Sequence, residues 1–315
     1  VPRTMAPSRD IATGIGATIL IFAAVFRLTI IGFFCSIILP LPVLFYRVKL
    51  GRKPAVIIAG VSAAIMAAMI GTVAVDLLFC LWLLMIGFVL GELYEKGLSV
   101  DQTLLRSAAA AFGAVVAGLL IFSLLAGKGP VSLVSDYVAE NLRLTLELYR
   151  QSGAALEIVD QIEGSLEQIR FALVRVLPSM AAAGSLLISW ACLLVSRSLF
   201  QARKIPVPEF GPLNQWRSPE PLVWAAIGCG AMLLLPVTPL KIIGINGLIV
   251  LMTVYFFQGI AIVSFLFEKK KFPRALRFIL YSLIGLQQFL LLLIIGLGFF
   301  DMWVDFRKLG AHQNG

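Results

Sequence analysis

The sequence predicts an all-α, polytopic transmembrane helix bundle of about nine spans (eight if residues 11–46 form an irregular pair), with one amphipathic helical hairpin outside the membrane. Three observations lead there. The chain of 315 residues is 60% hydrophobic and only 14% charged, with a mean hydropathy of +0.96, more apolar surface than a soluble domain of this size can bury. Its apolar residues fall in runs of roughly 20, the length a helix needs to cross about 30 Å of hydrocarbon. Its basic residues cluster in short segments between those runs, as loop charges that set orientation do.

The expected spans lie near residues 11–26, 28–46, 54–74, 77–94, 105–127, 176–200, 221–237, 243–267 and 275–300. The first two are separated only by Arg27, and one of them could be a half-span or a re-entrant element. The clusters RVKLGRK, RKIP and EKKKFPRALR mark one side, which the positive-inside rule makes cytoplasmic. With the N-terminus inside, 17 of the 26 basic residues fall on that side, and 10 of the 17 acids fall on the other. The net charge of +9 is therefore a property of the cytoplasmic face and not a signal for nucleic acid. Nine spans place the C-terminus outside, although Arg307 and Lys308 oppose this.

This reading divides the chain into a cytoplasmic segment (1–10), an N-terminal transmembrane bundle (11–127), an outer hairpin (128–175), a C-terminal bundle (176–302) and a tail (303–315). Val1–Thr4 read as a tag remnant, with Met5 a plausible native start. Segment 130–175 is too charged to span. Leu142, Leu146 and Tyr149, then Leu156, Val159, Ile162, Leu166, Ile169 and Leu173, recur at helical spacing, and Ser152–Gly153 marks the break between two amphipathic helices. The hairpin reads as a cap, a dimer contact or a lid.

Catalytic signatures are missing. There is no HExxH, GxSxG, P-loop or CxxC, and no carboxylate pair lies within a span. The only histidine, His312, is in the polar tail, and Cys35, Cys80, Cys192 and Cys229 stand alone in apolar runs. No enzyme, metal site or cofactor is expected. Asp76, Glu92 and Glu95 lie at span ends, where water reaches them.

Four features carry what remains. Pro40 and Pro42 interrupt the second span and free carbonyls near residues 36–38, which must find protein or water. They read as a kink or as the break that makes a binding site. Asn246, Gln258, Gln287 and Gln288 are amides within spans. They serve as interhelical glue or, with Pro40 and Pro42, as candidates for binding a small uncharged or zwitterionic molecule (Asn246, Gln258 and Gln287 above all). Small residues recur every four positions at Ala12/Gly16, Gly60/Ala64/Ala68 and Ala109/Gly113/Ala117, where backbones could approach closely or a partner helix could dock. The five-proline loop from Ile205 to Pro221 offers Phe210, Asn214 and Trp216 as an interface anchor or a docking surface for a protein partner.

At these residues the chain resembles a known family. LPLPVLFYRVKLGRK (Leu39–Lys53), Phe210…Asn214-Gln-Trp216…Pro219, Asn246, Phe257-Gln258-Gly259 and Gly298…Asp301…Asp305-Phe306-Arg307 resemble the pattern of the YybS-like bacterial membrane proteins, a family of unknown function. The resemblance implies a multi-pass protein of the bacterial inner (plasma) membrane. At the fold level such proteins look distantly similar to the substrate-capture subunits of energy-coupling-factor transporters, which dock on a membrane partner. Those subunits share no substrate motif, so no residue role is carried over. The expectation is transport or capture of a small uncharged or zwitterionic molecule. The alternative is a non-catalytic scaffold recruiting a membrane or cytoplasmic partner through the 201–221 loop and the outer hairpin, and the third reading is lipid handling. Membrane lipid is the certain neighbour in every case, and small-residue faces leave homo-oligomers open.

Overall fold

The computed structural model describes residues 7–27, 29–71, 75–153, 156–205 and 210–307, and every regular element among them is a helix. They form two compact units: residues up to 174 together with 184–205, and Arg175–Ala183 together with 210–307.

The first unit contains α1 (Pro7–Arg27), α2 (Thr29–Ile38), α3 (Pro40–Leu50), α4 (Arg52–Ile70), α5 (Val75–Tyr94), α6 (Val100–Ala126), α7 (Pro130–Gln151) and most of α8 (Leu156–Ala202). The expected span 28–46 is two short helices. Proline at position 40 cannot donate to Ser36 O, which instead accepts from Leu39 N at 3.3 Å, and the next carbonyl, Ile37 O, accepts from the Cys192 thiol at 3.6 Å. Ser36 O, the carbonyl that Pro40 deprives, and Ile37 O beside it are thus both answered by protein. Pro40 is buried against α5, where a Cβ on Gly87 would lie 2.2 Å from Pro40 O.

Below this break α3 carries Arg47, 3% exposed, which clamps the end of α5. Its Nε donates to Glu92 at 2.8 Å, and Nη1 and Nη2 donate to the two oxygens of Glu95 at 2.7 and 2.8 Å. The two acids expected to be merely hydrated are held in a bidentate charge-assisted contact. Gly91 leaves room for it, since a Cβ there would lie 2.4 Å from Arg47 Cγ.

The three expected small-residue stripes do not mediate packing within the chain. Ala12/Gly16, Gly60/Ala64/Ala68 and Ala109/Gly113/Ala117 are exposed, and a Cβ on Gly16, Gly60 or Gly113 would meet nothing within 4 Å. Hydroxyls join these helices instead. Ser185, Ser189 and Ser196 of α8 bond Trp82 Nε1 (3.1 Å), Ser107 (3.0 Å) and Tyr94 (2.8 Å). Serines scattered in an apolar run read as small filler, so nothing in the sequence singled them out.

The hairpin breaks where expected. Ser152 N bonds Leu148 O at 2.9 Å, Gly153 turns at φ +77°, and Arg150 meets Glu163 across the arms at 2.5 Å. Its second arm continues past residue 175 within one helix, since α8 runs for 47 residues, about 70 Å, with Pro178 inside it.

The second unit contains α9 (Pro221–Leu234), α10 (Thr238–Lys269), α11 (Arg274–Leu286), α12 (Gln288–Val304) and a single 3-10 turn at Leu213–Gln215. Among the described residues six helices are long and apolar enough to span. The α11–α12 pair, bent by 101° at Gln287, passes only as a broken span or a re-entrant loop, and α9 has 14 residues. Three of the nine expected spans (28–46, 221–237 and 275–300) are therefore short or broken helices.

Both ends of α11–α12 also lie at the same end of α10. Arg277 donates to Phe267 O and Phe272 O, while Asn214 links Glu268 (Nδ2 to carboxylate, 2.5 Å) to Arg307 (Nη1 to Asn214 O, 3.1 Å). The pair returns to the end from which it left. Arg307, which the nine-span count places opposite the EKKKFPRALR segment, thus lies at the same end of α10 as that segment, where its charge fits the pattern.

The Arg47 contact holds the Glu95 carboxyl below the usual glutamate range. A depressed folded value contributes stability above the unfolded value of about 4.3, and that contribution is lost as pH falls through the folded value. Thermal unfolding of Arg47→Met in detergent is expected to show a loss on the order of 2 kcal/mol at pH 7. The gap from wild type should begin to narrow as pH falls below about 4.3 and close only below the depressed folded value.

Candidate functional site: a buried Asp301–Arg307 centre

Two glycines bring α10 and α12 into backbone contact. A Cβ on Gly259 would lie 2.0 Å from Ile294 O, and one on Gly298 2.0 Å from Tyr255 O. No larger residue fits at this crossing, which sets Gln258 beside Asp301. Gln258 lies 11 residues inside the α10 end at Lys269, about 16 Å along the helix.

The centre is built on Asp301, 1% exposed. Oδ1 accepts from Phe306 N at 3.1 Å, and Oδ2 accepts from Gln258 Nε2 at 3.0 Å and from Arg307 Nη2 at 2.7 Å. The Arg307 side chain has no solvent exposure, and its Nη1 donates to Asn214 O at 3.1 Å and Trp216 O at 2.9 Å. On the other side Gln258 Oε1 accepts from Ser218 N at 3.1 Å and Ser218 Oγ at 2.5 Å. Arg217 pairs with Asp305, which closes α12 in the left-handed region at φ +44°. Loop 210–220 is thus held by Gln258 and Glu268 of α10 and by Asp305 and Arg307 at the end of α12. Arg307 Nε and Asn214 Oδ1, one donor and one acceptor, are buried without a partner.

Asn246 does something else. Proline 178 breaks the ladder of α8, and the Asn246 amide inserts into the next rung, accepting from Ser179 N at 3.2 Å and donating to Arg175 O at 2.9 Å. Its second N–H goes to Ile242 O at 2.8 Å. Both donors and the acceptor are engaged, so the residue splices a helix and has no free donor for a ligand. This splice explains why Arg175–Ala183 belongs to the second unit.

The substrate candidates that lie in the second unit are therefore not brought together. Pro40 and Pro42 belong to the first unit, Asn246 lies 12 residues from Gln258 on α10, and Gln287 is exposed at the bend. Only Gln258 joins the centre. There it meets Asn214 and Trp216, expected as docking residues, which contribute carbonyls, while Phe210 is half-buried at the start of the loop. Asp301 and Arg307, which stand in the family pattern but not among the site candidates, lie past the end of the last expected span. Among the described residues no group of three His, Cys, Asp or Glu side chains could hold a metal ion.

Breaking a buried pair strands a charge at a cost of about 3–5 kcal/mol. Asp301→Asn and Arg307→Met should each lower the unfolding midpoint markedly, and the double variant Asp301→Leu/Arg307→Met should recover part of the loss. Asn246→Leu should cost about 2 kcal/mol, since it leaves Ser179 N and Arg175 O without partners. The same unfolding assay checks all four.

No curated protein and no solved structure matches the chain. A family model described as "Predicted membrane protein (DUF2232)" matches residues 16–302. That match runs from α1 to α12 and includes Gln258 and Asp301, and the chain belongs to this family of membrane proteins.

Proposed function

We propose that the protein is a non-catalytic membrane scaffold that presents loop 210–220 as a fixed docking surface for a cytoplasmic protein partner. The observation that carries this reading is the fully buried Arg307 guanidinium donating to Asn214 O and Trp216 O while paired to Asp301. An ion pair spent on loop backbone gives the loop one shape, and a loop with one shape binds with less ordering cost. Its outer face stays available, because Pro212, Gln215, Pro219 and Glu220 are exposed. The basic clusters flanking it favour the cytoplasmic side.

Transport or capture of a small molecule loses its main support, since the Asn246 and Gln258 amides are engaged within the protein. One observation still favours it as the second reading. The unpartnered Arg307 Nε and Asn214 Oδ1 could hold a small ligand that carries both an acceptor and a donor. The groove of about 700 Å³ on the hairpin is lined by Arg143, Glu147, Arg150 and Glu163 and by none of these amides.

The test is a photo-crosslinking residue at Gln215 in intact membranes, with one at exposed Leu120 of α6 as control. A single protein adduct at Gln215, absent at Leu120 and lost when Asp301→Asn loosens the loop, is expected. No adduct, together with a stoichiometric small molecule co-purifying with wild type but not with Arg307→Met, would replace the scaffold reading with capture.

A further inference from the structure

The hairpin helix α7 carries two apolar seams, and only one is used within the chain. Val138 and Leu146, both buried, form the inner seam. The second runs through Val134, Tyr137, Asn141, Leu144, Leu148 and Gln151, at alternating spacings of three and four residues. Tyr137 is 42%, Leu144 51% and Leu148 65% exposed; Asn141 and Gln151 are exposed as well, and Val134 is half-buried.

That spacing is the a/d pattern of a parallel coiled coil, with Val134, Asn141 and Leu148 at a and Tyr137, Leu144 and Gln151 at d. We infer that this stripe is a homodimer interface, in which α7 of one copy lies along α7 of a second copy of the chain.

Three arguments select a second copy as the occupant. The central a position is Asn141, whose Nδ2 donates to Tyr137 O at 2.9 Å, leaving its Oδ1 and second N–H for another side chain. At an a position on a two-fold axis the group opposite is the same amide, which offers the complementary donor and acceptor. A single asparagine there fixes register and favours the two-stranded state. Copies inserted the same way into one membrane are related by an axis along its normal, and helices that stand along that axis, as α7 does beside the arm of α8 that continues into a span, run parallel. In that register Glu140 and Glu147, at g, oppose Thr145 and Ser152 at e, and no like charges meet.

A lipid surface fits less well. An amide interrupts the exposed stripe, and only Val131 and Tyr149 expose apolar side chains off its a/d positions, so no continuous face of the width an interfacial helix buries is formed. The polar faces of α7 carry Asp136, Glu140 and Glu147 against Arg143 and Arg150, a net negative balance that an anionic bilayer does not attract.

The experiment uses full-length protein in lipid nanodiscs. Asn141→Cys and Leu148→Cys should form disulfide-linked dimers on mild oxidation. The parent, whose own cysteines are buried or half-buried, and Arg143→Cys on another face should not. Asn141→Lys should convert the dimer to monomer by mass photometry with an unchanged unfolding midpoint. Monomeric wild type, or equal crosslinking at positions 141 and 143, overturns the proposal. So does quenching of a Leu144→Trp reporter by brominated lipid beyond that of the parent, which would place the stripe in the bilayer.

Discussion

A backbone N–H or C=O in a membrane bundle that lacks a partner costs several kcal/mol, and prolines create such groups wherever they interrupt a helix. This chain has interruptions at Pro40, at Pro178 and through loop 210–220, and each is answered by a particular side chain. The Cys192 thiol covers Ile37 O, the Asn246 amide splices Ser179 N to Arg175 O, and Arg307 takes the carbonyls of Asn214 and Trp216. The polar residues at these breaks are first of all a repair kit for broken backbone.

Repair of this kind couples elements far apart in sequence. Arg307 can donate to the loop only because Asp301 neutralises it, and Asp301 sits there only because Gly259 and Gly298 let α10 and α12 touch. The same crossing brings Gln258 against Ser218. Loop shape, helix crossing and ion pair are one construction, and its product is a short irregular segment with a defined backbone. That suits presentation of a surface better than movement of a substrate.

Much of this was legible in the chain. Apolar run lengths located most helices, Ser152–Gly153 marked the hairpin turn, and Pro40 with Pro42 marked the broken span. The residues of the centre stood together in the family pattern, from Gln258 to Asp301 and Arg307. Their partnership was hidden because it depends on the 101° bend at Gln287, and no local signal distinguishes a bend from a crossing in an apolar run. The splice at Pro178 was hidden for a related reason. A proline predicts that a rung is lost but says nothing about which amide, 68 residues later, replaces it. Of the stripe expected on α7 from Leu142, Leu146 and Tyr149, only Leu146 is buried, and the outer heptad is hard to see in the sequence because Asn141 interrupts it.

Hydrogen–deuterium exchange of loop 210–220 in detergent or nanodiscs tests the central claim most directly. Amides bonded within a built centre exchange as slowly as the helices that hold them, so the Ser218 amide should be protected to the degree of α10. That protection should collapse in Asp301→Asn while the amides of the first unit keep theirs. Exchange of Ser218 at the rate of a free loop in the wild type, or protection unchanged in Asp301→Asn, would contradict it.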